Sequence, residues 1–271
     1  MRLAGIILLC SVLVAGAWTA QQFGVLQELA AIRPKGVTGI PSFGEWLFEV
    51  QSEVTTGFYR DVSGNAYHGT QLTATNTPLY TNTTGGSLVF RFGDYISLSN
   101  HVSAIGAMTQ GTFAAWIKPA ARTENKTLFS VSSAIDGSYR SYRFDILSSA
   151  GGFRAYHFNG TEWLDVRTSA GITNDVWVHV AFSVGPLGNA MFINGYSQAV
   201  VYTKGSASTN TFFAAQPSRK TVEIGRLYIN AHPTYSFRYV GEMGEVVLYN
   251  HPLSETELLQ KVSSEKSIYG Y

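Results

Sequence analysis

From Trp46 to Tyr249 the apolar residues recur every second position, in about a dozen short runs, and no long stretch carries the 3.6-residue period of a helix. A period of two places successive side chains on opposite faces of a pleated strand, so a chain of this kind must build sheets. In Gly111 to Lys118, Phe113, Ala115 and Ile117 share one side, while Thr112, Ala114, Trp116 and Lys118 share the other. Both faces of that strand have bulk to bury. In Val176 to Phe182, an apolar row of Val176, Val178, Val180 and Phe182 stands opposite Trp177, His179 and Ala181. Asn159-Gly160 and Asn194-Gly195 fall between alternating runs, and Asn-Gly supplies the positive φ angles of a two-residue hairpin.

One helix is expected after the strands. Ser254 with Glu257 three residues on is a capping box, and it opens an apolar-periodic run through Leu258 and Leu259. Two markers therefore bracket the strands. Asp61-Val62-Ser63-Gly64-Asn65 leads into His68-Gly69-Thr70 at the start, and Tyr249-Asn250 passes through Pro252-Leu253 into the capping box at the end.

The chain has 271 residues, of which 45% are hydrophobic and 14% charged, as suits a large core under a Ser/Thr/Asn-rich surface. All-β sandwiches of roughly 200 to 250 residues are routinely one domain. A net charge of +1 with no basic run disfavours nucleic-acid binding and electrostatic membrane docking. The lone cysteine, Cys10, lies inside an N-terminal apolar stretch, so the folded part has no intrachain disulfide and no cysteine metal site.

That stretch begins with Arg2, runs apolar from Leu3 to Trp18 and offers Ala15-Gly16-Ala17 as a small-residue cleavage site, the pattern of a secretory signal peptide. The rival reading is an uncleaved membrane anchor, since Leu3 to Ala20 is close to the lower limit for spanning a bilayer, roughly 17 residues. Either reading puts the rest of the chain outside the cytoplasm, secreted or on a cell or virion surface. The sequons at Asn82, Asn125 and Asn159 fit eukaryotic secretion without deciding it. Gln21 to Ile32 could wind into one short amphipathic helix before Pro34, Gly36, Gly39 and Pro41 break it. The expected organisation is thus residues 1–20 as signal or anchor, 21–44 as tether, and 45–271 as one β-rich domain.

The order of motifs carries a family resemblance. DVSGN and HGT, then GTFAAWIKP (Gly111 to Pro119), WVHVAF (Trp177 to Phe182), MFING (Met191 to Gly195), EIGR (Glu223 to Arg226) and GEMGEVVLYNHPLSETEL (Gly241 to Leu258) resemble the laminin-G-like members of the concanavalin A-like lectin/glucanase superfamily. The resemblance implies a jelly-roll sandwich of two antiparallel sheets, with a concave sheet that ligand-binding members use; the expected fold is therefore an all-β sandwich of this kind with a short C-terminal helix and an N-terminal apolar helix. It also implies an acidic residue with a calcium role in the closing strand, and this chain departs from that pattern, with Gly244 at the position and Glu245 after it.

Chemistry is harder to find. Glycoside hydrolysis needs two cooperating carboxylates. The superfamily's E-x-D-x-x-E string is missing, and Glu242 and Glu245, three apart on one strand, should face opposite sides, as should Glu162 and Asp165. There is no G-x-S-x-G and no H-E-x-x-H among the six scattered histidines. His179 reads as a structural histidine hydrogen-bonded within its sheet. Asp61, Ser63 and Asn65 alternate oxygen ligands like the start of a calcium loop, but the glycine and the twelfth residue, Leu72, are wrong for an EF-hand. Asp61 is the one candidate metal ligand, for calcium, against an Asx-type turn in which it caps backbone amides. No other cofactor is indicated.

The hairpin Phe153 to Val166 is the candidate ligand site. With Asn159-Gly160 as a two-residue turn, Tyr156 should face Trp163 and Arg154 should face Asp165, while Phe153, Ala155, Leu164 and Val166 go to the core and His157 pairs with Glu162. An aromatic pair beside an Arg-Asp pair suits a sugar, whose apolar ring face packs on aromatics and whose hydroxyls meet charged groups. The same pairs would also serve as cross-strand stabilisation, at about 0.2–1 kcal/mol each. Tyr142, Phe144, Phe90 and Phe92 fall at core-like positions. The chain is accordingly expected to be a non-enzymatic extracytoplasmic binding or adhesion module for a glycan or protein surface. A structural or assembly component, such as a membrane-anchored spike or a virion or filament subunit, is the other reading.

Overall fold

The structure is a computed structural model that describes residues 40–47, 57–71, 76–81, 86–121, 124–133, 140–148, 151–228 and 237–270. The apolar segment, the tether up to residue 39, and Asn82 lie outside these residues. Seventeen strands occur in chain order: β1 (Gly44–Leu47), β2 (Phe58–Tyr59), β3 (Gly69–Thr70), β4 (Leu79–Thr81), β5 (Ser87–Phe90), β6 (Ile96–Ser97), β7 (Gly111–Pro119), β8 (Lys126–Ser132), β9 (Ser141–Ile146), β10 (Phe153–Phe158), β11 (Glu162–Thr168), β12 (Val178–Gly185), β13 (Gly188–Ile193), β14 (Tyr196–Ser197), β15 (Val200–Lys204), β16 (Thr221–Ile224) and β17 (Gly241–Tyr249). Among the described residues two α-helices join them, α1 (Val102–Gly106) after β6 and α2 (Glu255–Glu265) at the end.

The strands form two sheets, and their pairings are antiparallel. Sheet A runs β14-β13-β12-β7-β17-β5-β4, with β1 also paired to β17, and sheet B runs β15-β11-β10-β9-β8-β16-β6-β3-β2. The two inner faces make one core. Phe113, Ala115 and Ile117 of β7 meet Phe144 of β9 and Phe153 of β10, and Phe113 stacks on Phe144 with ring centroids 4.3 Å apart. The other side of β7 is buried as well. Ala114 joins Ala181, Val247, Leu253 and Leu258, and Trp116 joins Trp177, Val262 and Tyr269, so α2 and the chain end cover the outer face of sheet A. The bulk on both faces of Gly111 to Lys118 thus has a structural cause, a core on one side and a helix on the other.

The capping box forms as expected: the Ser254 amide donates to Glu257 Oε2 at 2.8 Å and the Glu257 amide to Ser254 Oγ at 3.3 Å. The two sequence markers meet through β1. The Phe43 amide donates to the Leu248 carbonyl at 2.7 Å in the closing strand, and the Val62 amide donates to the Glu45 carbonyl at 2.8 Å in the opening one.

Three expectations change. Val176 is 47% exposed and precedes β12, so the buried row begins at Val178. Phe92 is 58% exposed with the Arg238 guanidinium 4.9 Å from its ring, whereas Phe90, Tyr142 and Phe144 are buried in the core. Of the two Asn-Gly pairs, only Asn194-Gly195 makes the tight turn, with φ of 54° and 83° and Ile193 paired to Tyr196. At the other, Gly160 alone has positive φ, and a bulge shifts the register between His157 and Phe158.

Candidate functional site

The outer face of sheet B carries side chains in ordered rows because its strands lie in register. One row runs from Ser97 of β6 through Glu223, Ser130, Arg143 and Tyr156 to Asp165 of β11. A second runs Thr127, Asp145, Arg154 and Arg167. The alternate residues of the same strands, among them Phe144, Phe153, Ala155, Leu164 and Val166, lie in the core. Period two thus turns one strand pattern into an apolar inner face and a polar, cationic outer one.

Asp145 is the centre of this face and is fully buried. Its Oδ2 accepts from Arg143 Nε at 2.9 Å and from Arg154 Nη2 at 2.6 Å, and its Oδ1 accepts from Thr127 Oγ1 at 2.7 Å. Burial works against its ionisation, but the Arg143 and Arg154 guanidiniums outweigh that and hold its pKa below the usual carboxylate value. Tyr156 lies in this cluster, with the Arg143 guanidinium 4.3 Å and the Arg154 guanidinium 4.9 Å from its ring centre. Such cation–π contacts occupy the ring and fix the arginines. Further along the sheet Arg226 forks onto Glu223, Nη2 to Oε1 at 2.7 Å and Nε to Oε2 at 2.8 Å.

Trp163 differs. It is the extra residue at the bulge, 51% exposed, and its indole Nε1–H donates to Asn159 Oδ1 at 2.7 Å. That bond holds the ring in one orientation at the hairpin tip. Tyr156, Trp163, Arg154 and Asp165 therefore share the outer face as expected, but their partners across the strands do not match. The turn is one residue longer than two, so Phe158 opposes Glu162, and the bulge adds a second residue; β11 thus slides by two, and Tyr156 opposes Asp165 and not Trp163, Arg154 opposes Arg167 and not Asp165, and His157 opposes Leu164 and not Glu162. The reading of the sequence missed Arg143, Asp145 and Arg167. Their alternation with Phe144 and Val166 was visible, but their convergence depends on β9, which the hairpin alone does not reveal.

The remaining candidates have structural tasks. Asp61 is buried, and its carboxylate accepts from the Glu45 and Ser63 amides at 2.8 and 2.9 Å through Oδ1 and from Ser63 Oγ and the Tyr67 amide at 2.8 and 2.9 Å through Oδ2. That is the Asx-type turn, extended to fasten β1. Both oxygens are already spent on chain donors, so the carboxylate does not fit a calcium ion, and among the described residues no three His, Cys, Asp or Glu side chains gather for a metal. His179 is fully buried, as a structural histidine should be, but among the described residues neither ring nitrogen has a hydrogen-bond partner. Its edge packs against Trp116 at 5.3 Å, and burial drives its pKa well below the ordinary value.

Glu242 and Glu245 overturn the parity argument. A bulge at Gly244 inserts one residue, so Glu242 opposes Lys118 and Glu245 opposes Trp116, both on the outer face of sheet A. They do not form a hydrolytic pair for another reason. Glu242 is bound to Lys118 at 3.0 Å, and Glu245 is 1% exposed, held by Lys261 of α2. Gly244 is required there because a Cβ at this position would stand 2.1 Å from the Tyr269 ring.

A laminin-G-type family model, described as concanavalin A-like lectin/glucanases superfamily, matches residues 90–259, more than half of the chain. The chain belongs to this superfamily. No curated protein sequence matches it. Among solved structures it is similar to the CBM40 of Ruminococcus gnavus IT-sialidase bound to alpha2,3-sialyllactose, at 20% identity and TM-score 0.54, over 62% of this chain and 92% of that one. It is also similar to domain 4 of AbnA, a GH43 extracellular arabinanase from Geobacillus stearothermophilus, in complex with arabinotriose, at 17% identity and TM-score 0.56, over 80% and 96% of the two chains. A Trypanosoma rangeli sialidase matches at 15% identity and TM-score 0.53, over 84% of this chain and 33% of the larger one. At these identities the likeness is one of fold.

Proposed function

We propose that this chain is a non-catalytic carbohydrate-binding module, secreted or displayed on a cell or virion surface, whose glycan lies on the outer face of sheet B. The observation that carries the reading is Trp163. An indole half exposed at the tip of a hairpin, oriented by its own hydrogen bond to Asn159, is a ready platform for the apolar face of a sugar ring. Asp165 and the arginine cluster next to it offer acceptors and donors to the hydroxyls. Tyr156 takes a different part, since its ring already carries two guanidiniums and serves to place them. Support for the sugar class comes from the carbohydrate-bound domains of the same fold.

Trp163→Ala is the test, on a glycan array spanning neutral and acidic oligosaccharides, with retention measured beside a thermal melt. Loss of retention at an unchanged Tm supports the site, because the indole is exposed and its removal leaves the core intact. Retention equal to that of the parent chain would remove this face from the reading.

A further inference from the structure

Arg154 and Arg167 stand directly opposite one another on β10 and β11. Like charges in that position destabilise a sheet. Arg154 is partly compensated, because Asp145 sits on its other side in β9. Arg167 is not: among the described residues it makes no ion pair and no side-chain hydrogen bond, and its neighbour on the far side is Val201. Asp145 is shared between Arg143 and Arg154, and Asp165 also acts on Arg154, so these four charges balance and Arg167 is the excess cation of the cluster. The face therefore carries one uncompensated planar fork, that of Arg167, facing Arg154 on a chain whose net charge is only +1.

The Arg167 fork is also in line with the platform. Trp163, Asp165 and Arg167 are successive outer residues of β11, and four residues of strand separate the indole from Arg167 by about 13 Å. That is longer than one sugar ring. A guanidinium fork matches a carboxylate in geometry and charge, whereas a hydroxyl uses only one of its donors.

Resting on the reading that this face binds a glycan, we propose that the ligand is an acidic oligosaccharide, with a sugar carboxylate held by Arg167 beside the Arg154–Asp145 pair while a neighbouring ring packs on Trp163. The carboxylate supplies the counter-charge that the strand pair lacks. A neutral glycan could use Trp163 but would leave the two arginines opposed.

The test compares sialyl- and galacturonyl-oligosaccharides with their methyl esters, which keep the sugar and remove only the charge, against the full chain by titration calorimetry. Binding of the free acids about tenfold or more tightly than of the esters is expected, a difference of about 1.4 kcal/mol. Arg167→Gln should erase that preference without lowering Tm, since it relieves the repulsion with Arg154, and Arg167→Lys should restore part of it. Equal binding of acid and ester, or a preference that survives Arg167→Gln, overturns the proposal while leaving the sugar site on Trp163 in place. Failure of acids, esters and neutral oligosaccharides alike to bind overturns both.

Discussion

Lys261 of α2 donates to both carboxylate oxygens of Glu245 in the closing strand, at 3.0 and 2.9 Å, in a setting where each side chain is less than 5% exposed. The same ammonium reaches Glu265 Oε1 at 2.6 Å, one helical turn on, and Trp116 Nε1 donates to Glu265 Oε2 at 2.8 Å. Helix, strand and indole are thus tied at one buried point, with Glu45 close by on β1.

Removing the ammonium should undo this tie. Lys261→Met leaves two buried carboxylates without their cation, and breaking such a pair costs about 3–5 kcal/mol. The expected outcome is a fall of that size in urea-unfolding free energy at neutral pH. Lys261→Met with Glu245→Leu should recover part of it, because one of the two stranded carboxylates goes too.

Glu265 should make stability depend on pH in an unusual direction. Burial, and then the neighbouring Glu245, push its pKa from 4.5 to about 7 in the folded chain. The folded state therefore holds a proton that the unfolded state releases between these values. This contribution is complete below about 4.5 and disappears as pH rises through about 7. The difference in unfolding free energy between the parent chain and Glu265→Gln should shift across that window and level off above it; a flat difference would contradict the raised pKa.

His157 should act in the opposite sense. It is fully buried, stacked on Tyr142 at 5.1 Å, and among the described residues neither ring nitrogen has a partner within hydrogen-bonding geometry. Burial lowers its pKa from 6.5 to about 4, with the backbone of Ala215 offsetting part of the effect. As pH falls through 6.5 the unfolded chain takes up the proton first, so stability drops until about pH 4, by up to about 3 kcal/mol. His157→Phe should match or exceed the parent Tm at neutral pH and lack this acid-side loss, as thermal melts from pH 7 to 4 would record.

Gly244→Ala should destabilise by about 1–3 kcal/mol, the range for overpacking a filled site. The new methyl would sit 2.1 Å from the Tyr269 ring, which is itself stacked on Trp116 at 4.5 Å and has little room to move. Differential scanning calorimetry would measure the loss, and an unchanged Tm would mean that the chain end is not packed on the bulge.

Much of this was legible in the chain. The period of two in Gly111 to Lys118, the capping box at Ser254 and Glu257, and the Asn194-Gly195 turn are local patterns, and each forms as read because backbone sterics and neighbouring residues decide it. The sharing of one face by Arg154, Tyr156, Trp163 and Asp165 follows from the same alternation. Registers were not legible. A turn one residue longer than expected with a residue inserted at Trp163 changed the expected pairing of Tyr156, and a residue inserted at Gly244 reversed the expected separation of Glu242 from Glu245. A bulge costs little locally and is chosen by what packs against it, here the Tyr269 ring over Gly244.

By itself, then, the sequence determined the strands, the faces of those strands and the superfamily to which they belong, because these depend on residues close together in the chain. Only the tertiary structure decided that Asp145 on β9 gathers Arg143 and Arg154, that Arg167 is left facing Arg154, and that Asp61 is used up by backbone amides. Those are relations between strands, and their energies exist only once the sheets have closed and water has left the groups that meet.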